Sequence, residues 1–194
     1  MSIGRFERIK SQQVQATIDV NMYHPTAMLK KFLTVLTDRG DNENEQQQRS
    51  GVIVVSSAMA KVAMPADAIY AASKAYMSHL VQGVSHELAV TGKERIDTQL
   101  LCPGFIQTTM LTGVYAILSF LTVASVQSVV SSSLRQLGHK KLPGETIVTG
   151  GTFLHDIKLK VSEFLFQNLP LWVIKYPGYL IFDTVPEKQA DKKN

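Results

Sequence analysis

The chain has 194 residues, 45% of them hydrophobic and 19% charged, which supplies enough apolar material for one folded domain and excludes a disordered polypeptide. Its formal charge of +4 is scattered, apart from small clusters at Lys30-Lys31, Lys140-Lys141 and Lys192-Lys193, and this argues against a nucleic-acid partner. The single cysteine, Cys102, excludes an internal disulfide and a CxxC metal pair, so no metal site is expected and the thiol reads as a core residue.

The amino-terminal stretch MSIGRFERIKSQQVQ lacks the apolar core of a signal peptide. A helical pattern follows from about Val14 to Leu36, with Val14, Ile18, Met28, Leu29, Phe32, Val35 and Leu36 on an apolar face and an end at Gly40. Pro25 interrupts it: the missing N–H leaves the carbonyl of Asn21 without its helical partner, and such a carbonyl can hold an ordered water that relays protons. A plain proline kink with a satisfied asparagine is the alternative. DNENEQQQRS is a solvated loop. GVIVVSSA then reads as a strand buried on both faces.

A second helix is expected from about Ala68 to Val90, stopped by Gly92, and RIDTQLLCPG gives another buried strand ending in a Pro-Gly turn. After Pro103 and Gly104 comes a helical region to about Gly138. GETIVTGG is a third strand, and a helix from Phe153 to Gln167 precedes an aromatic stretch that begins at about residue 164. Helices alternating with buried strands predict a parallel α/β sheet in one domain.

Two apolar segments bear on membranes. GVYAILSFLTVASV falls short of the ~18 to 20 residues that a spanning helix needs. FLFQNLPLWVIKYPGYLIF is broken by Gln167, Asn168, Pro170, Lys175 and Pro177, which suits packing or lying at a membrane surface better than spanning.

The chemistry concentrates in AIYAASKAYMSHL, residues 68 to 80. On a helix, Tyr70 and Lys74 are i,i+4 neighbours, and an ammonium beside a phenol favours the phenolate, which suits a tyrosine that exchanges protons near neutral pH. Tyr76 has Leu80 at that spacing and no such partner. Strands of parallel sheets present reactive groups at their carboxyl ends, where GVIVVSSA places Ser56 and Ser57. Ser57 either donates a hydrogen bond to a substrate carbonyl or caps the segment that follows.

These residues, with their neighbours, resemble the short-chain dehydrogenase/reductase family: Asn21 in DVNMY, Ser57 in VVSSA, Tyr70 and Lys74 in YAASK, and Pro103, Gly104 and Thr108 in PGFIQT. The resemblance implies a Rossmann-like, doubly wound parallel sheet and an NAD(P)H-dependent oxidoreductase that reduces a ketone. It implies Tyr70 as proton donor, Ser57 polarising the carbonyl, Lys74 holding the nicotinamide ribose and depressing the Tyr70 pKa, and the Asn21 carbonyl anchoring a water behind Lys74. Pro103, Gly104 and Thr108 would border the nicotinamide, with NADP(H) preferred to NAD(H).

SVQSVVSSSLRQLG, LHDIKLKVSEFLFQNLPLWV and the tail ADKKN are similar to the microsomal branch of very-long-chain 3-oxoacyl-CoA reductases and 17β-hydroxysteroid dehydrogenases. That branch implies a 3-oxoacyl-CoA or steroid-like lipid ketone, a role in lipid metabolism such as fatty acid elongation, and residence at the endoplasmic reticulum membrane. Family members commonly dimerise through two long helices, here 14 to 38 and 68 to 90.

The family's dinucleotide cradle, a strand followed by a glycine-rich turn, has no counterpart: none of the 12 glycines gives GxGxxG or TGxxxGxG, and VTGGTFLHD has Leu154 where the next glycine should stand. The sequence therefore reads as residues 1 to 194 of one incomplete domain, equivalent to the back half of a family member. Its first strand should carry an unpaired edge and its helices exposed apolar faces. A truncated gene product, a short protein completed by a partner, and an inert remnant acting as a binding or interaction protein are the three expectations.

Overall fold

The computed structural model describes residues 4–41, 49–62, 66–104, 106, 124–139, 145–168 and 170. After a short 3-10 turn at Phe6–Arg8, one helical rod runs through α1 (Ser11–Ile18), a π-helical segment (Asp19–Tyr23) and α2 (His24–Asp41). The expected helix is thus longer at both ends than its apolar spacing suggests. His24 N–H reaches back five residues to the Asp19 carbonyl, so the turn before Pro25 is one residue wider than an α-turn. Widening the rod just ahead of the proline lets a residue without an N–H sit in the helix without breaking it.

The sheet has three parallel strands in the order β1 (Ser50–Val55), β2 (Ile96–Leu101) and β3 (Ile147–Thr149). Val54 lies opposite Leu100, which lies opposite Val148. Between β1 and β2 the chain forms a 3-10 turn (Ala58–Ala60) and α3 (Ala68–Val90). Between β2 and β3 it forms α4 (Val126–Gln136), and after β3 comes α5 (Phe153–Asn168). The helical region expected before residue 126 and the aromatic stretch after 168 lie outside the described residues, apart from Gly104, Ile106 and Ala124 to Ser125 and Pro170.

Helices cover both faces of the sheet, the doubly wound arrangement that alternating elements predict. On one face Leu29 of α2 and Val81 of α3 pack with Leu100 and Cys102, joined by Val52, Val54 and Leu33. Cys102 is a free, fully buried core thiol, as the sequence suggests. On the other face α4 meets β2: buried Gln99 donates its amide to the Ser133 carbonyl (3.1 Å) and hydroxyl (2.8 Å). Gly151, at φ 90°, lies where an added Cβ would stand 2.5 Å from Val129 and 3.1 Å from Leu101, so the turn after β3 fits under α4 only without a side chain.

The sequence reads both long strands as buried on both faces, and this holds for β2 alone. All six β2 residues are buried, whereas β1 is only partly covered and Val55 is 57% exposed. The reason is position: β2 has a neighbour on each side, and among the described residues β1 pairs with β2 only. Among the described residues no helix is long and apolar enough to cross a membrane.

Candidate active site

The carboxyl end of β1 leads into Ser56 and Ser57, and α3 passes over it. Ser56 is 3% exposed, and its hydroxyl donates to the Lys74 carbonyl at 2.9 Å, with Ser78 Oγ 3.3 Å away. Ser78 donates to the same carbonyl at 3.1 Å. The backbone adds Ser56 N–H to Leu101 O and Ala58 N–H to Pro103 O, at 2.7 and 3.0 Å. The end of β1, the end of β2 and the middle of α3 are therefore pinned together at Lys74.

Of the two roles open to Ser57 in the sequence, the structure shows the cap: its hydroxyl accepts from Met59 N–H at 3.2 Å at the start of the 3-10 turn. The same side chain stands close enough to the Tyr70 phenol to influence its acidity. Tyr70 and Lys74 lie on one face of α3, with Lys74 Nζ 5.6 Å from the Tyr70 ring centroid, inside the range of a cation–π contact. Both side chains are partly buried.

The electrostatics depart from the expectation that Lys74 depresses the Tyr70 pKa. Burial pushes the Tyr70 phenol above its ordinary value; the Ser57 side chain pulls it back in part, and the charge of Asp67 pushes it further up. Burial likewise pushes the Lys74 ammonium down, with Cys102 offsetting part of that. Desolvation penalises the charged form of each group and is the largest cause of both shifts.

Asn21 sits in the π-helical segment and turns its side-chain amide to α3, where Nδ2 donates to Ser73 Oγ at 3.1 Å. Ser73, fully buried, donates in turn to the Tyr70 carbonyl at 2.7 Å. The same two helices are tied again by Thr26 Oγ1 and Tyr76 Oη, 3.2 Å apart. Pro103 is buried and Gly104 exposed just beyond β2, on the same side of the sheet as Ser57, whereas Thr108 lies outside the described residues.

The structure thus brings Asn21, Ser57, Tyr70 and Lys74 to one place, with Pro103 joined to it through Ala58. It gives Ser56, named in the sequence beside Ser57, the task of holding the Lys74 backbone, and it adds residues that sequence reasoning passed over: Ser78, which holds the same backbone, Ser73, which links Asn21 to Tyr70, and Asp67. The spacing of Ser78 four residues after Lys74, pointing the same way as the lysine, was the available signal.

The donor set of two hydroxyls and an ammonium is of the kind that suits the ribose and nicotinamide end of a dinucleotide. The only described strand–Gly–Gly–helix turn, at Gly150 and Gly151, does not fit the pyrophosphate end. Gly150 N–H is taken by Asp156 Oδ1, Gly151 N–H by Thr149 Oγ1 at 3.0 Å, and the space above Gly151 by Val129. A carboxylate already stands where a phosphate would have to be, which agrees with the sequence reading of VTGGTFLHD. Among the described residues no cluster of side chains suits a metal ion.

A sequence model described as short chain dehydrogenase matches residues 1–116. No curated protein sequence matches the chain. Among solved structures, the chain is similar to a 7β-hydroxysteroid dehydrogenase, with TM-score 0.67 and 18% identity over 91% of this chain and 63% of that one. It is also similar to a 3-ketoacyl-(acyl-carrier-protein) reductase from Brucella melitensis complexed with NADH (TM-score 0.64, 17% identity, 77% and 62% covered). A short chain dehydrogenase from Burkholderia cenocepacia in complex with NADP gives 0.62, 20% identity, and 87% and 64%. The chain spans just under two thirds of the length of each of these proteins.

Proposed function

Because the chain belongs to the short-chain dehydrogenase family, we propose that it carries the catalytic half of an NAD(P)H-dependent oxidoreductase that reduces a ketone. The observation that carries this reading is the placement of Lys74 Nζ 5.6 Å from the Tyr70 ring on one face of α3, with Ser57 at the carboxyl end of β1 near enough to act on the phenol. A nicotinamide cofactor, when bound, supplies the hydride to the carbonyl carbon. The chain's own part is the proton and its placement: Ser57 donates a hydrogen bond to the substrate oxygen, and the Tyr70 phenol gives that oxygen its proton as the C–O double bond becomes a single bond. The raised pKa of Tyr70 suits this direction, since the phenol is in its proton-bearing form at neutral pH. Lys74, anchored through its carbonyl by Ser56 and Ser78, lends positive charge to the phenolate left behind, and Asn21 and Ser73 fix the helix turn that aims it.

On family resemblance the substrate is a lipid ketone, a 3-oxoacyl thioester or a steroid-like compound, and NADP(H) is favoured over NAD(H). A location at the endoplasmic reticulum membrane, with the aromatic stretch after residue 164 against the lipid surface, and a dimer built through helices 14–38 and 68–90, complete the proposal. Exposed Tyr23, Met28, Phe32 and Val35 on the rod support the dimer. Tyr70→Phe should lower ketone reduction by about 100-fold or more, because the general acid is gone. Unchanged turnover in a folded Tyr70→Phe protein would remove the mechanism, and titration of the chain with NADPH and NADH by fluorescence tests the cofactor.

One observation favours a second reading, a non-catalytic interaction protein: the described residues contain no free phosphate cradle. Failure to bind either nucleotide at millimolar concentration, together with tight self-association, would decide for it.

A further inference from the structure

The helix that follows β3 does not pack as α4 does. α4 buries Val129 and Ser133, whereas none of the described side chains of α5 is buried. Among the described side chains, two tie α5 to the rest of the fold. Near its start, Asp156 accepts from Gly150 N–H and, at 3.0 Å, from the Thr149 hydroxyl, which fixes that end of the helix to the carboxyl end of β3. Two helical turns further on, Glu163 pairs with Lys61, Oε1 to Nζ 3.4 Å, on the segment that leaves β1. Lys61 closes the 3-10 turn that Ser57 opens, and Ala58 N–H to Pro103 O, at 3.0 Å, holds that turn against the end of β2.

The two tethers therefore mark a line across the carboxyl edge of the sheet, from the end of β3 past β2 to the exit of β1. From Asp156 to Glu163 a helix rises about 10 Å, and three neighbouring strands span about the same distance. A helix running back along one face of the sheet would carry Glu163 that far toward the amino ends of the strands, away from Lys61. The edge that α5 crosses is the one at which Ser57, Tyr70 and Lys74 are gathered.

We propose that α5 is a lid over the candidate active site and that the Lys61–Glu163 pair is its latch: closed, it limits entry to the Ser57, Tyr70 and Lys74 cluster, and released, it lets substrate in. The proposal rests on the reading of that cluster as the active site. Two features suit the role. With no described side chain buried, α5 has little packing to hold it down, and elements of that kind open most readily. The latch joins two partly exposed side chains, a setting in which an ion pair is weak and sensitive to salt. It can let go while the Asp156 anchor, bonded to both Thr149 and Gly150, keeps its hold.

Nitration of Tyr70 by tetranitromethane, read site by site by mass spectrometry, reports access to the cluster without requiring turnover. Tyr76, on the same helix and exposed, is the internal reference. Glu163→Gln and Lys61→Met should each raise the Tyr70 rate about two- to fivefold relative to Tyr76, the range that a partly exposed ion pair can supply. The charge-exchanged double variant, Lys61→Glu with Glu163→Lys, should return the rate to that of the parent. About 0.5 M sodium chloride should raise the parent rate and leave Glu163→Gln unmoved. An unchanged Tyr70 rate in the single variants, a rise shared by Tyr76, or a double variant as open as the single ones overturns the proposal. If one single variant does not fold, the other is judged by the same criterion. The failure of the oxidoreductase reading looks different: Tyr70→Phe would leave ketone turnover untouched while Tyr70 nitration still rose in Glu163→Gln.

Discussion

Asp67, buried at the N-cap of α3 without a capping hydrogen bond from its side chain, has a price in stability. Its folded pKa of about 6 lies above the ordinary 3.8, so between about pH 4 and 6 the folded state binds more protons than the unfolded chain. Stability contributed at this site therefore falls as pH rises through that window and stays low above it. Asp67→Asn, which keeps the shape and removes the charge, should be more stable than the parent at pH 7.5 by roughly 1 kcal/mol, discounted for partial solvent screening, and the gain should vanish at pH 4. Thermal melts of both proteins at the two pH values check this; a gain that is independent of pH would contradict it. Gly151→Ala should instead lose about 1 to 3 kcal/mol, since its Cβ would meet Val129 at 2.5 Å on a backbone at φ 90°. At this scale the sequence singled out Asn21, Ser57, Tyr70 and Lys74 as candidates, because spacing along a helix and position at a strand end are written in residue order. The burial of Asp67 and the upward shift of Tyr70 were not legible, because desolvation depends on what folds over a group.

The helical rod and the strands show which features of an element a sequence carries. Apolar spacing located the rod, α3 and all three strands, and Pro25 marked the place where the rod departs from α-geometry. The spacing could not tell an apolar face that is covered from one that is not. Met28, Phe32 and Val35 repeat at helical intervals in the same helix as core residue Leu29, yet they are 58%, 56% and 44% exposed. If this stripe is the dimer contact, Phe32→Glu should convert a dimer to a monomer in sedimentation analysis while leaving the dichroism spectrum intact, since Phe32 lies outside the Leu29 cluster. A parent chain that sediments as a monomer would rule the contact out. Composition likewise could not rank β1 and β2: valine-rich β1 is half-open, whereas β2 buries Asp97, Thr98 and Gln99 along with its apolar residues, because it has a neighbour on each side.

At the scale of the molecule, the parallel sheet, its helices on both faces and the expected bare flank of β1 agree with the reading of an α/β domain resembling part of a longer family member. The flank should be visible in amide hydrogen exchange. The β2 amides, buried between two neighbours, should be the slowest of the sheet, and those β1 amides that point away from β2 should exchange far faster than the ones bonded to it. Uniform protection along β1 would mean that something pairs with it in solution. The spatial order of the strands also repeats their order in the chain. Each later strand can therefore dock on the outer side of the one made just before it, and none has to be threaded between two that are already joined. A polypeptide emerging from the ribosome lays down these three strands by accretion in one direction, the growing margin moving away from β1 as synthesis proceeds.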